Sequence, residues 1–157
     1  MYVIRQATPA DAGRIAEIEV FNYRLNFYPI FKSDKFYFDI LQVSSKAEEY
    51  LADPHLLQNT WVYDDGVVKG FIRVEGTEVQ KLFVEPALQG QAIGAVLLEY
   101  MMEHRGVNHL WALEKNKKAI RFYERHGFRL TENKKPEEET TEYLVQLVRE
   151  RTVPIRD

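Results

Sequence analysis

The sequence predicts a mixed α/β domain: a mostly antiparallel central sheet flanked by helices, with one strand–loop–helix crossover. Three observations point to it. The turn signals Asp65-Gly66 and Glu75-Gly76 separate three apolar runs that read as consecutive antiparallel strands. The last of these runs ends in VEP, passes Gly90 and Gly94, and becomes a leucine-rich stretch with helical period. The chain has 157 residues, 45% of them hydrophobic, which suits one domain with a single sizeable core. No repeat, low-complexity tract or linker interrupts it, so residues 1–157 are expected to form one domain.

YVIRQA opens as a short strand. In TPAD, Thr8 suits a helix cap, Pro9 the first helical position, and Asp11 the acidic place of a capping box. A helix is expected over 12–25, with Ile15, Ile18 and Leu25 as its apolar stripe. NFYPIFKSDKFYFDI, rich in aromatics and broken by Pro29, reads as an irregular or partly helical loop. Ser45 with Glu48 predicts a second capping box, opening a short helix that ends before Pro54. QNTWVYDD, VVKGFIRVEG and TEVQKLFVEP are the three strands. QAIGAVLLEYMMEHRG is a helix stopped by Gly106, and NHLWALEK is a strand. NKKAIRFYERHGF is a helix with Asn116 at its cap and Gly127 at its left-handed end. FRLTEN and TTEYLVQLVRE close the sheet, joined by KKPEEE as an exposed hairpin loop. The final TVPIRD is expected to fray.

Composition narrows the chemistry. The absence of cysteine removes disulfides, thiolate metal sites and a thiol nucleophile. The three serines, Ser33, Ser44 and Ser45, lie in no nucleophile elbow. Four histidines lack metal-ligand spacing, so no metal is expected. A net charge of -3 carries no nucleic-acid footprint. No apolar run reaches the roughly 20 residues of a membrane span, and MYVIRQATPADAGRIAE lacks the pattern of a signal peptide. A cytoplasmic protein is expected.

The junction VEPALQGQAIGAVLLEY is the focus. Unpaired backbone N–H groups at a helix N-terminus, aided by the helix dipole, bind phosphate, and Gly90 and Gly94 let a ligand approach closely. A plain turn before a core helix uses the same residues. A Walker loop is excluded, because Ala95 and Val96 follow Gly94. The spacing G-x-x-x-G differs from the dinucleotide fingerprint, although Glu114 lies about 20 residues on, as a ribose-binding acid would.

EVQKLFVEPALQGQAIGAVLLEYM followed by LWALEKNKKAIRFYERHGF closely resembles the GNAT superfamily of acyl-CoA-dependent N-acyltransferases. The first segment resembles its motif A, with the signature Q/R-x-x-G-x-G/A. The second resembles its motif B, with an asparagine, an alanine and a tyrosine before Gly-Phe. The order of strands and helices matches the same fold. One departure stands out. In Gln89-Gly90-Gln91-Ala92-Ile93-Gly94, Ala92 occupies the place of the first signature glycine. Alanine is strained there if the residue has positive φ, and harmless if it is already helical.

The resemblance implies acetyl-CoA as co-substrate and no metal. Its pyrophosphate lies on the amides of Gln89, Gly90, Gln91, Ala92, Ile93, Gly94 and Ala95. The pantetheine arm pairs with Leu82, Phe83 and Val84, in a splay between that strand and the next. An N–H near Leu82 faces the thioester oxygen. Asn116 contacts the arm or caps its helix. Tyr123 matches the tyrosine that protonates the departing thiolate, and Glu78 matches a frequent position of the general base, ahead of Glu75 and Glu114. One of Lys117 and Lys118 is a candidate for a cofactor phosphate, against a plain solvated helix face.

For the acceptor, Tyr23, Phe27, Tyr28, Phe31 and Tyr37 are candidates to wall a pocket for an apolar or cationic amine. Glu137, Glu138 and Glu139 would favour a cation. The expected function is transfer of an acetyl group to a primary amine by direct attack in a ternary complex, with a small-molecule acceptor ahead of a peptide. The alternatives are a non-catalytic acyl-CoA sensor and a peptide or protein N-acetyltransferase. No nucleic-acid or membrane partner is expected, and the strand edges allow a homodimer.

Overall fold

The computed structural model describes residues 1–150, so the expected fraying of TVPIRD lies outside the described residues. Seven strands form one sheet in the order β1-β2-β3-β4-β5-β7-β6. They are β1 (Val3–Gln6), β2 (Thr60–Asp64), β3 (Val68–Glu75), β4 (Glu78–Val84), β5 (His109–Leu113), β6 (Arg129–Pro136) and β7 (Tyr143–Val148). Every neighbouring pair is antiparallel except β4 and β5. That exception follows from chain logic. The helix α5 (Ile93–Arg105) carries the chain back across the sheet, and such a crossover returns a parallel strand. No helix among the described residues is long and apolar enough to cross a membrane.

Alternation along the strands splits the core in two. On one face, Ile72, Val74 and Val79 pack with Ile93, Leu97, Leu98 and Met101 of α5, and with Ile120 and Tyr123 of α6 (Lys117–Arg125). On the other, Val62, Val68 and Phe71 meet Ile15 and Ile18 of α1 (Ala12–Asn26) and Tyr50 of α3 (Val43–Ala52). At Gly70 an added Cβ would stand 3.1 Å from the Phe83 carbonyl oxygen and 3.2 Å from Ile93 and Leu97. The missing side chain is what lets α5 lie directly on β3, and this fixes the start of α5 against the sheet.

The capping box of Thr8 and Asp11 forms as expected: Asp11 accepts from the Thr8 backbone N–H at 2.8 Å, and the Thr8 hydroxyl adds a bond to that carboxylate at 3.2 Å. Asp11 is also claimed by Arg5, whose guanidinium holds its carboxyl below the ordinary range. Several other local expectations change. Leu25 is 51% exposed and leaves the core stripe to Ile15, Ile18 and Val20. Ser45 caps nothing: α3 begins at Val43 behind Gln42, because extended Gln42 already turns the chain. An unexpected helix, α4 (Pro54–Gln58), starts at Pro54, with Asp53 accepting from the His55 N–H at 3.0 Å. The aromatic stretch is partly helical, with a single turn α2 (Tyr28–Phe31) and a π-helical turn over Phe36–Ile40. Finally, Lys134, Lys135 and Pro136 belong to β6 rather than to the loop. Their pairing is carried past a bulge in which Asn133 and Thr131 bond to Gln146.

Candidate active site

β4 and β5 pair only at Glu78–His109 and Val79–Leu110. Beyond that point they part. The cause lies on the other edge of β4, where pairing with β3 jumps from Arg73–Lys81 to Val74–Val79 and leaves Gln80 as an extra residue. Such a bulge bends and twists its strand. The parted strands open a cleft of 1260 Å³, large enough for an elongated cofactor with an acceptor beside it. Its walls include Leu82, Phe83 and Val84, the loop after β4, residues 110–113 of β5, and Asn116 and Tyr123.

The loop has the form of an anion cradle. Gly90 has φ +88° and Ala92 φ +65°, and the first helical bond of α5 runs from the Val96 N–H to the Ala92 carbonyl at 3.0 Å. The N–H groups of Ile93, Gly94 and Ala95 precede it and have no acceptor within the helix. The positive end of the α5 dipole lies there too. Around Gly90 nothing stands within 4 Å of where a Cβ would be, and at Gly94 the nearest atoms are at 3.6 Å. No neighbouring atom crowds either position, and both glycines line the cleft. Ala92 is in the strained case: left-handed, at a cost of about 1 kcal/mol relative to an ordinary conformation. Gly90, Ala92, Gly94 and Ala95, together with Gln89 and Ile93, line the cleft, whereas Gln91 does not.

Asn22 holds this loop from behind. It is buried in the middle of α1, and its Nδ2 donates to the carbonyls of Ile18 and Val84, each at 2.8 Å. Its Oδ1 accepts from Gln89 Nε2 at 3.2 Å. One side chain therefore ties α1 to the end of β4 and to the loop. The sequence reading missed it, although an asparagine inside a helix was a signal, since it disfavours the helix unless something repays it. Lys118, not Lys117, reaches the loop: its Nζ donates to Gln89 Oε1 at 3.2 Å, and it lines the cleft.

Asn116 caps α6 by accepting from the Ala119 N–H at 3.3 Å and also lines the cleft, so one position serves both uses. Tyr123 is 8% exposed and packs edge-on against Phe122 and Phe128. Its hydroxyl has no hydrogen-bond partner among the described residues, and burial alone pushes the phenol up. Yet the only sealed, unpartnered polar side-chain atom among the described residues is Arg149 Nε. The Tyr123 hydroxyl therefore opens onto the cleft, protonated and free to donate. Glu78 stands apart from these groups. It sits at the closed end of the splay, accepts from Gln80 Nε2 at 3.0 Å, and does not line the cleft.

The other half of the cleft is aromatic. Tyr23, Phe27, Phe31 and Tyr37 line it, while Tyr28 stands behind, donating to Asp34 at 2.6 Å. Glu137, Glu138 and Glu139 all border this half, and Glu137 is the half-buried one of the three. Burial, and then the nearby charges of Tyr23 and Glu137, push the Tyr37 phenol up to about 12. Lys81 also faces this half, its Nζ bonded to the buried Glu19 at 2.8 Å and to the Tyr23 hydroxyl.

The family model described as Acetyltransferase (GNAT) domain matches residues 57–130, the span from α4 through the splay, the loop and α6. That match, over just under half of the chain, is to the GNAT superfamily. The chain is similar to the peptidyl-lysine N-acetyltransferase YiaC of Escherichia coli K12, with 33% identity over 87 residues, which are 54% of this chain and 57% of that protein. The matched stretch is thus little more than half the length of that relative. Among solved structures, the chain superposes on an N-acetyltransferase from Staphylococcus aureus Mu50 with a TM-score of 0.75 at 16% identity, covering 93% of this chain and 99% of that one. It also superposes on the paia N-acetyltransferase of Thermoplasma acidophilum, solved in complex with coenzyme A, with a TM-score of 0.66 at 18% identity, covering 93% and 98%. The mixed, mostly antiparallel sheet flanked by helices is therefore the GNAT fold.

Proposed function

We propose that this chain is a GNAT acyltransferase that transfers an acetyl group from acetyl-CoA to a primary amine by direct attack in a ternary complex. The observation that carries this reading is the parting of β4 from β5 beside the loop over 89–95. The cofactor supplies the activated acyl group. The amides at the start of α5, with Lys118 beside them, suit its phosphates. The strand edge at Leu82–Val84, unpaired on the β5 side, suits its amide-bearing arm. The Leu82 N–H stabilises negative charge as it develops on the thioester oxygen. As the amine nitrogen bonds to the acyl carbon, the C–S bond breaks and Tyr123 gives its proton to the leaving sulfur, while the nitrogen releases its surplus proton to water and water reprotonates the phenol. Burial holds the phenol neutral, so its hydroxyl is present as a donor when the thiolate departs.

The attacking amine must first lose a proton. Glu78 can serve as base only through a chain of water from the closed end of the splay. The aromatic walls favour an amine on an apolar stem, and both a small amine and a lysyl side chain have one. The name of the relative YiaC supports the second. The test is release of free thiol from acetyl-CoA against a panel of polyamines, amino acids and lysine peptides. The chain has no cysteine, so it adds no thiol of its own. Amine-dependent release is expected. No release with any amine, while calorimetry shows acetyl-CoA bound, would overturn transfer and leave a sensor.

A further inference from the structure

The acceptor half of the cleft contains a charged group that neither the sequence reading nor the family match assigns. Glu19 has no exposed surface, yet it remains ionised: burial opposes its charge, and Lys81, Tyr50 and Lys46 outweigh that opposition and hold its carboxyl below the ordinary range. Tyr50 donates to Oε1 at 2.5 Å, Lys81 to Oε2 at 2.8 Å, and Lys46 approaches Oε2 at 3.5 Å. Two ammonium groups share one carboxylate, so the ion pair does not cancel Lys81.

Lys81 owes this place to the bulge. Val79 and Leu82 both face α5, three residues apart, which regular alternation forbids. The extra residue Gln80 changes the phase and turns Lys81 to the α1 side, where Glu19 lies. The same bulge thus opens the splay and brings an ammonium to its acceptor side. An ammonium has three donors. Glu19 and the Tyr23 hydroxyl take two, and Lys81 also lines the cleft. Lys81 immediately precedes Leu82, whose N–H faces the reacting carbonyl in the transfer reading, and Tyr23, which holds the ammonium, lines the acceptor half. The third donor is therefore open to the acceptor half of the cleft. Across the slot, half-buried Glu137 supplies a negative charge near Tyr37.

We propose that Lys81, held by Glu19 and Tyr23, selects an acceptor with an oxygen on the carbon next to its amine-bearing carbon, namely an α-amino acid with an apolar side chain. The carboxylate takes the third donor of Lys81, and the side chain lies among Phe27, Phe31 and Tyr37. A lysine ε-amine offers no oxygen at that distance, so it leaves the third donor of Lys81 without a partner. The inference rests on the transfer reading, and its test separates the two.

Thiol release is measured with L-phenylalanine, with 2-phenylethylamine, which lacks only the carboxylate, with phenylalaninamide, and with Nα-acetyl-lysinamide. Phenylalanine is expected to exceed 2-phenylethylamine at least about tenfold in kcat/KM, the size of a hydrogen bond to a charged group. In Lys81→Met the ratio of those two values should fall to about one. An equal gain with phenylalaninamide supports the same contact made by the carbonyl of an N-terminal residue. Release with 2-phenylethylamine or the lysine compound, without gain from the carboxylate in the wild type, overturns this inference alone and does not depend on the variant folding. No release with any amine overturns transfer and this inference together.

Discussion

The two halves of the cleft are built from different materials. The cofactor half is made of backbone: the unpaired edge of β4, the amides at the start of α5, and glycines that leave space. The acceptor half is made of side chains from four stretches: α1, the aromatic segment after it, Lys81 of β4, and the turn between β6 and β7. A backbone site needs particular residues at fixed spacing, because only they permit the required turn, so it leaves a short pattern in the chain. A side-chain site needs only that certain groups meet in space, and many sequences achieve that.

The first way to break this comparison is to disturb the network behind the acceptor half. Glu19→Gln leaves Lys81 and Lys46 without their buried carboxylate and should cost about 3–5 kcal/mol in a denaturant titration. The pH dependence follows from the lowered carboxyl of Glu19. Its contribution is complete above the ordinary carboxylate range, near 4.3, and is lost as pH falls through the lower folded-state value. Wild type should therefore lose stability on acidification over that window, and Glu19→Gln should lose less.

Tyr123→Phe tests the cofactor half. It should lower kcat roughly a hundredfold while acetyl-CoA binding by calorimetry stays within about twofold, since the hydroxyl bonds nothing among the described residues. An unchanged kcat would remove it from the mechanism.

Gly70→Ala presses a methyl group on the Phe83 carbonyl and on Ile93 and Leu97. About 1–3 kcal/mol of lost stability is expected, with weaker acetyl-CoA binding as the start of α5 shifts. Stability lost with binding intact would show that the loop does not depend on that contact. Ala92→Gly should act in the opposite direction by less, about 0.5–1 kcal/mol of added stability, because relief of the left-handed strain exceeds the entropy that glycine brings to the unfolded chain. A thermal melt checks it. The smallest effect is expected at Glu78, outside the cleft lining. Glu78→Gln should change kcat by less than about tenfold across the pH profile, against roughly a hundredfold or more for a positioned base.

The sequence determined the order of the strands and, α4 apart, of the main helices, and it located the loop, Asn116 and Tyr123, because turns, caps and helical period are local. It also carried the two conditions on Ala92, but the choice between them belongs to φ, which the structure shows as left-handed. Expectations failed where two local signals competed. Ser45 lost its cap to Gln42, and KKP was drawn into β6 by a bulge that lets pairing resume. Only the tertiary structure decided that Asn22 ties α1 to the loop, that Glu78 lies at the closed end, and that Lys81 turns towards Glu19. Glu19 and Lys81 are separated by 62 positions, and what joins them is one extra residue in β4. A bulge changes which face every later side chain occupies, and nothing in the local residues at Gln80 announces it.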